Sequence, residues 1–377
     1  MNTIDKSVES RVEEGAIHHF CKTFFPIRGG VEVVVAKICE LLYGRFESKI
    51  VSTSGCSKSE RDLKISEYKH ANVRLVPSFG DFLSLPMAPG VLIEAFFSLR
   101  RAKHIVIHYP FPLLDLAVFL FWPFARSSIT VYWHSNIVAQ KISRYLVFPL
   151  TYVMLWQARN IVVATPPMLE HSWLLRKFRS KVTVIPYGLW CAERDSDVSE
   201  VCRGYIIAIG RHVEYKGFDV LLHALAATNI GLVIVGNGPL LEKHKRLAAE
   251  LGISHRVEFL TDVSDSQKMT ALNESMGMVL PSVYPSEAFA LVQLEAMELR
   301  KPIINTALES GVPWVARDGL EAITVPPADV AALANAINTL VGDAKLRDEL
   351  GRGGRLRVEQ EFSEVLFRDR LIRLILN

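Results

Sequence analysis

Two carboxylates, Glu287 and Glu295, stand eight residues apart in the run from Ser286 to Met297. A Pro/Ser-containing loop, Pro281 to Pro285, leads to the first. The second lies on an apolar helix expected to begin near Ala290, so both face one crevice. The start of a helix offers unpaired N–H groups and a partial positive charge, which suit a phosphate. Carboxylates are poor phosphate ligands and good acceptors for hydroxyl groups. The corner formed by Phe289, Ala290, Leu291 and Val292, with Glu287 and Glu295 beside it, therefore has the chemistry to grip both ends of a nucleotide-sugar. The bland alternative is an amphipathic helix with two solvated glutamates.

Four further clusters bear on the same chemistry. Arg211 and Lys216 lie five residues apart, in a loop between an apolar strand and a helix. An Arg fork and a Lys point charge can converge on one anion, and together they can neutralise a leaving diphosphate without a metal. Gly29 and Gly30 follow the first expected strand and open a helix, where absent side chains let a ligand approach the backbone. His134 ends an expected strand, Ile129 to Trp133, and would point into a cleft. There it can bond a sugar or help position an acceptor. Gly236 sits in Val235-Gly236-Asn237-Gly238-Pro239. This is not a dinucleotide fingerprint, because Leu241 stands where the third glycine is needed.

The elements that position these groups alternate. Short Val/Ile-rich runs are separated by longer amphipathic stretches, which implies parallel sheets with helices on both faces. Helices are expected over Gly30–Leu42, Pro166–Phe178, Phe218–Ala227 and Pro239–Leu251. The polar stretch from Leu189 to Gly204 interrupts the rhythm, which then restarts. The fold class is α/β, with two doubly wound Rossmann-like domains facing a cleft: residues 1–190, a linker over 191–204, residues 205–361, and a final helix over 362–377. Ligands of such sheets bind outside the carboxyl ends of the strands.

Composition sets limits. With 377 residues the chain has room for two cores. Its net charge of +3 does not imply nucleic acid. Cationic residues predominate in the first half and acidic ones in the second, so the first half suits an anionic surface or a phosphate-bearing acceptor. The five cysteines (Cys21, Cys39, Cys56, Cys191 and Cys202) form no C-x-x-C pair and read as reduced thiols of a cytosolic protein. The polar start of the chain does not resemble a signal peptide. Two apolar runs, Leu113–Phe124 and Tyr145–Trp156, fall short of the roughly 20 residues that span a bilayer. They are expected to be buried helices, with a surface dipping into a membrane interface as the second reading. Asp195-Ser196-Asp197 has the form of a metal-binding D-x-D, but sits in the linker and reads as a solvated acidic run.

Taken together, the motifs resemble those of the family-4 retaining glycosyltransferases, which have the GT-B fold. The resemblance rests on the Glu-x7-Glu pair, the Gly210-Arg211 and Lys216-Gly217 element, Gly29-Gly30 with Glu32, the Val-Gly-Asn-Gly-Pro turn, Val184-Ile185-Pro186-Tyr187-Gly188, Thr165-Pro166 and Gly311-Val312-Pro313-Trp314. It covers about residues 17 to 345. Ala290, Arg300 and Ala322 depart from it, each standing where glycine is usual, and Ser135 stands where Asp often follows the histidine.

The resemblance implies transfer of a hexose from a nucleoside diphosphate donor with retention, without a metal or other cofactor. It assigns Glu287 to the donor sugar, Glu295 to the ribose diol, and Arg211, Lys216, Gly29 and Gly30 to the diphosphate. Gly236 would lie near the nucleotide and His134 near the transferring sugar. Among such enzymes the chain is most similar to bacterial O-antigen and exopolysaccharide mannosyltransferases. That implies GDP-mannose and a polyprenyl-diphosphate-linked glycan, at the cytoplasmic face of the plasma membrane, with peripheral contact to anionic lipid. The alternatives are a UDP-hexose-dependent transferase of the same fold and a non-catalytic nucleotide-sugar-binding protein.

Overall fold

The computed structural model describes residues 16–24, 29–54, 68–82, 85–135, 143–190 and 202–376. Phe25 to Arg28, Cys56, Asn136, Cys191, the 195–197 acidic run and most of the expected linker lie outside the described residues. The chain divides into two compact units. The first contains Met1–Val163, Ser172–Ile185 and Arg368–Asn377, and the second contains Ala164–His171 and Pro186–Phe367.

In chain order, the first part comprises β1 (Ala16–Cys21), α1 (Gly30–Leu42), β2 (Glu47–Ser54), β3 (Asn72–Pro77), the short pair β4 (Asp81–Phe82) and β5 (Leu85–Pro86), and α2 (Gly90–Arg101). Then follow β6 (His104–Tyr109), α3 (Pro112–Phe121), β7 (Ser128–Trp133), α4 (Ser143–Gln157), β8 (Asn160–Val163), α5 (Pro166–Glu170), α6 (Trp173–Lys177) and β9 (Val182–Val184). Seven strands form a parallel sheet in the order β3-β2-β1-β6-β7-β8-β9. β6 is buried along its whole length, as expected of a central strand covered on both faces. The order reverses at β1, which places the crevice of this sheet beyond the carboxyl ends of β1 and β6.

The second part comprises β10 (Tyr205–Ile209), α7 (Phe218–Ala226), β11 (Gly231–Val235), α8 (Leu241–Glu250), β12 (Val257–Leu260), α9 (Asp265–Asn273) and β13 (Met278–Val279). It continues with α10 (Val292–Glu298), β14 (Ile303–Thr306), α11 (Val312–Val315), β15 (Ala322–Val325), α12 (Val330–Gly342), α13 (Ala344–Glu361) and α14 (Glu364–Leu376). Its parallel sheet runs β12-β11-β10-β13-β14-β15. The switch point lies between β10 and β13. Ile206, Ala208, Leu232 and Ile234 pack with Phe218, Leu221 and Leu225 of α7 and with Ile337 and Leu340 of α12.

Two expectations are corrected. The helix expected over Pro166–Phe178 is two short helices, because the Ser172 Oγ accepts a hydrogen bond from the Leu175 amide at 3.3 Å and starts a new helix. The apolar runs form α3 and α4, but they are not buried throughout. Leu114, Ala117, Val118, Met154 and Leu155 face inward, whereas Phe119, Trp122, Phe124 and Trp156 are exposed. Among the described residues no helix is long and apolar enough to cross a membrane.

Two departures from the resembled pattern have a backbone consequence. Ala290 and Arg300 adopt φ of 58° and 53°, the left-handed region that disfavours a Cβ. Arg300 is exposed just beyond α10, where glycine is the usual helix terminator. Arg300→Gly is expected to stabilise the second unit by about 1 kcal/mol. Calorimetry should show a rise of roughly 2–4 °C in Tm, and an unchanged or lower Tm would refute the strain.

Candidate functional site

The residues singled out after β10 and β13 meet at the switch point of the second sheet. Lys216, seven residues beyond β10, places its Nζ 2.6 Å from the Glu287 Oε2, eight residues beyond β13. Both side chains are about nine-tenths buried. Ser282 Oγ donates to the same carboxylate oxygen at 3.2 Å. The other oxygen, Oε1, accepts no hydrogen bond from the described residues. Burial works against the Lys216 ammonium, but the Glu287 charge outweighs it and raises the lysine above its usual range. The lysine is thus a fixed cation, and Glu287 is a carboxylate with one oxygen committed and one open.

Glycines let this pair form. Gly217 has φ of 63°, and a Cβ there would lie 2.2 Å from the Pro281 carbonyl oxygen. The β10 loop therefore lies directly on the β13 loop, and the Val283 amide donates to the Tyr215 carbonyl at 2.8 Å. Gly236 has φ of 141°, and a Cβ there would meet the Gly210 carbonyl oxygen at 2.1 Å. Its first requirement is this backbone contact between neighbouring strand tips.

Arg211 is exposed and has no side-chain partner among the described residues. Burial raises the Tyr215 phenol above its usual range, the Glu287 charge adds to the rise, and Lys216 and Arg211 act against it. Both cations therefore bear on one ring, although only the lysine is buried. Behind Arg211, the His212 Nδ1 lies 2.8 Å from the His244 Nδ1, and the His212 amide donates to the Asn237 carbonyl. The first contact ties the Arg211 loop to α8, and the second ties it to the Gly236 turn.

Glu295 sits on α10. Lys268 of α9 donates to its Oε1 at 2.9 Å. The Oε2 is buried and has no partner among the described residues, which is costly unless a ligand donor arrives. The helix begins at Val292, two residues after the expected start. The amides of Ala290, Leu291 and Val292 donate to no acceptor among the described residues. The Phe289 ring is buried, 4.8 Å from Tyr187 and 6.1 Å from Phe362. It packs the core and leaves only its backbone to a ligand.

Sequence reasoning missed the supports of this corner. Gln293 is fully buried and donates to the Phe289 and Val312 carbonyls at 3.1 and 3.3 Å. Asn305 donates to the Gln293 Oε1 and the Ala316 carbonyl. Thr306 Oγ1 donates to the Ser282 carbonyl at 2.6 Å. A polar residue within a strand or on an apolar helix face was their only trace in the sequence.

The first unit presents its own set. Gly29 precedes α1, whose first turn holds the buried Glu32; the Thr23 hydroxyl donates to the Glu32 carboxylate. A Cβ on Gly29 would meet the Glu32 Oε2 at 2.6 Å, whereas Gly30 faces open space. His134, just past β7, is buried, with its Nε2 2.9 Å from the His108 Nδ1. The His108 Nε2 lies 3.3 Å from the His19 Nδ1. Three imidazoles from β1, β6 and the end of β7 thus form a line that ends at the Nε2 of His19, which has no partner among the described residues. Burial lowers His134 and His19 to about 3 and holds His108 well below its usual range. His134 is therefore a neutral imidazole near pH 7, suited to hydrogen bonding and not to carrying charge. His19 and His108 were not found from sequence, since histidine on an apolar strand usually satisfies itself in the core.

The chain is similar to known proteins in sequence and in fold. Residues 193–357 match the profile of the family described as glycosyl transferases group 1. The chain is 31% identical over 367 residues to the D-rhamnosyltransferase WbpZ of Pseudomonas aeruginosa, covering 92% of this chain and 91% of that protein. It is 28% identical over 354 residues to the O-antigen chain mannosyltransferase C of Escherichia coli, covering 92% and 94% respectively. Among solved structures, Anabaena Alr3699/HepE in complex with UDP-glucose superposes with a TM-score of 0.78 at 17% identity, covering 96% of this chain and 99% of that one.

Proposed function

This chain belongs to the group 1 glycosyltransferases and has the GT-B fold, and we propose on that basis that it is a retaining, family-4 hexosyltransferase. The observation that carries the proposal is the buried Lys216–Glu287 pair, with the unpartnered Glu295 oxygen on the same β13–α10 corner. Residues 205–361 would hold the donor and residues 1–190 the acceptor, with the last helix returning to the first unit. The donor's leaving diphosphate would be met by Lys216 and Arg211, and by the amides opening α1 at Gly29 and Gly30. Charge develops on the leaving oxygen, so fixed cations lower the barrier without a metal. The open Glu287 oxygen would accept from the donor sugar's hydroxyls, and Glu295 from the ribose diol. Gly236 and the amides of residues 289–292 would border the nucleotide. His134, kept neutral, would bond the transferring sugar or the acceptor hydroxyl.

The donor proposed is GDP-mannose, and the acceptor a polyprenyl-diphosphate-linked glycan in bacterial surface polysaccharide synthesis, at the cytoplasmic membrane face. The mannosyltransferase and rhamnosyltransferase relatives support this reading. The UDP-glucose bound to Anabaena Alr3699/HepE favours a UDP-hexose instead. Titration calorimetry with GDP and UDP decides between them: tighter GDP binding is expected, and a clear preference for UDP would overturn the mannose assignment. Incubation with a panel of nucleotide-sugars tests transfer itself. In the same calorimetry, Glu295→Gln is expected to weaken donor nucleotide binding about 10–100-fold, the loss of a charge-assisted hydrogen bond worth roughly 1.5–3 kcal/mol. Unchanged affinity would remove Glu295 from the site.

A further inference from the structure

The imidazole line climbs the first sheet toward the carboxyl ends of its strands. His19 of β1 stands opposite Val106 of β6, two residues before His108. His108 stands opposite Tyr132 of β7, two residues before His134. Residues two apart on a strand share a face, so all three histidines share one face and each contact is a diagonal. The His108 and His134 ring centres are 5.2 Å apart with their planes 17° from parallel, while the facing nitrogens are only 2.9 Å apart. His19 and His108 repeat this at 5.5 Å, 24° and 3.3 Å. Nitrogens so much closer than the ring centres mean that the rings meet edge to edge, as hydrogen-bonded partners do. Exposure falls from 6% at His134 through 2% at His108 to 0% at His19. The line therefore runs inward from the end of the sheet where a ligand would sit.

A neutral imidazole has one N–H and one bare nitrogen. Burial keeps all three rings neutral near pH 7. Each facing pair needs one donor and one acceptor, so the choice at one ring sets the choice at the next. Only two settings satisfy both contacts. In the first, every proton sits on Nδ1, with His19 donating to His108 and His108 donating to His134. In the second, every proton sits on Nε2 and both bonds reverse. The second setting puts an N–H on the His19 Nε2, a buried atom with no acceptor among the described residues. The first leaves only an unused lone pair there. Buried N–H groups are almost never left unpaired, whereas an acceptor with a spare lone pair is more common. The first setting is therefore the favoured one.

We infer that His108 and His19 are positioning residues that hold His134 as its Nδ1–H tautomer, a hydrogen-bond donor to an oxygen of the donor sugar or of the acceptor. For the identity of that oxygen this rests on the transferase proposal; the tautomer itself follows from the line alone. With its Nε2 engaged by His108, His134 has only Nδ1 to offer a ligand. An N–H at that atom donates to a lone pair and takes up no proton. His134 thus orients the oxygen and is not the base that removes a proton from the attacking hydroxyl. A histidine side chain in water favours the other tautomer, with its proton on Nε2. The line works against that preference, which a solitary buried histidine would keep.

The test is nitrogen-15 NMR of the full chain labelled at histidine, in which protonated and bare ring nitrogens resonate far apart. Single replacements identify the three rings among the eleven histidines by loss of their signals. Protons are expected on Nδ1 of His19, His108 and His134. A proton on the His134 Nε2, or a mixture of both forms, would overturn the inference. His19→Leu removes the first donor of the line and should release His134 toward the Nε2–H form. His19→Asn places an amide nitrogen where Nδ1 was and should preserve the parent tautomer. With the tautomer released, kcat for transfer should fall about 3–10-fold, in step with the fraction of His134 in the donating form. His19→Asn should recover it. Circular dichroism and donor nucleotide binding should match the parent chain in both variants, which shows that they fold. A His19 that only fills space would leave the His134 tautomer untouched. An unchanged tautomer in His19→Leu, or a shifted tautomer with unchanged transfer, would overturn the inference. If His19→Leu does not fold, the spectrum of the parent chain decides. A chain with all three Nδ1 protons in place that moves no sugar from any nucleotide donor would fail the transferase reading alone.

Discussion

Lys216→Ala is expected to lower kcat for donor turnover by about 10²–10³, the usual loss when one charge-stabilising donor is removed. It should also destabilise the protein, for a separate reason. Glu287 would be left in a site where only 8% of the residue is exposed, without the ammonium 2.6 Å away. Breaking a buried pair from one side typically costs about 3–5 kcal/mol. The two effects separate in Lys216→Met combined with Glu287→Gln. The double variant carries no stranded charge and should regain most of the stability, because a buried pair is often replaced by neutral groups at little cost. It should regain none of the turnover. The measurements are urea midpoints and nucleoside diphosphate release under saturating donor. A folded Lys216→Ala protein that turns over within a few-fold of the parent chain would remove the lysine from the reaction.

Acid should destabilise the first unit well above the pH at which carboxylates titrate. His19, His108 and His134 are held neutral by burial, far below the usual histidine range. In the unfolded chain each takes up a proton near pH 6.5. Below that pH the unfolded state binds more protons, so stability falls as pH falls, at up to about 1.4 kcal/mol per histidine per pH unit. Asp115 works the other way. Burial raises its carboxyl to about 7, so between pH 7 and its unfolded value the folded state holds the extra proton, and this offsets one histidine. His18 and His104 of the same unit are likewise lowered by burial, to about 4, so five histidines stand against one aspartate and the net loss is roughly 4 kcal/mol between pH 6 and pH 5. With a urea slope near 2–3 kcal/mol per molar, the midpoint should drop by about 1.5 M. A midpoint that holds or rises over that interval would refute the neutral imidazole line.

The strands were legible in the sequence because their signal is local. Val/Ile runs such as Tyr205–Ile209, Val257–Leu260 and Ala322–Val325 have the observed bounds, since a strand buried on both faces must be apolar throughout. The helix Gly30–Leu42 was equally plain from its opening glycines and its 3.6-residue apolar period. The break at Ser172 was harder, because a single capping serine in an apolar run leaves the period intact. Glu287, Lys216 and Glu295 could be singled out from motif spacing. Their pairing could not, since it depends on two loops meeting at Gly217 and Pro281, 64 residues apart in sequence. The imidazole line was hidden for the same reason. Its members are neighbours only through the strand order β1-β6-β7, which no local pattern records. The half-exposed faces of α3 and α4 escaped because both helices are apolar nearly all round, which by itself reads as burial.

Neither compact unit is a single stretch of polypeptide. Phe362 and Phe367 are almost wholly enclosed within the second unit, as is Tyr187 at its other margin. All three lie outside residues 193–357, the span that the group 1 profile recognises. A gene fusion that grafted only that span onto a new amino-terminal half would leave the aromatic keystones behind. Recombination among such genes should therefore succeed when the crossover carries the far carboxyl tail along with the rest, and yield insoluble chimaeras when it does not.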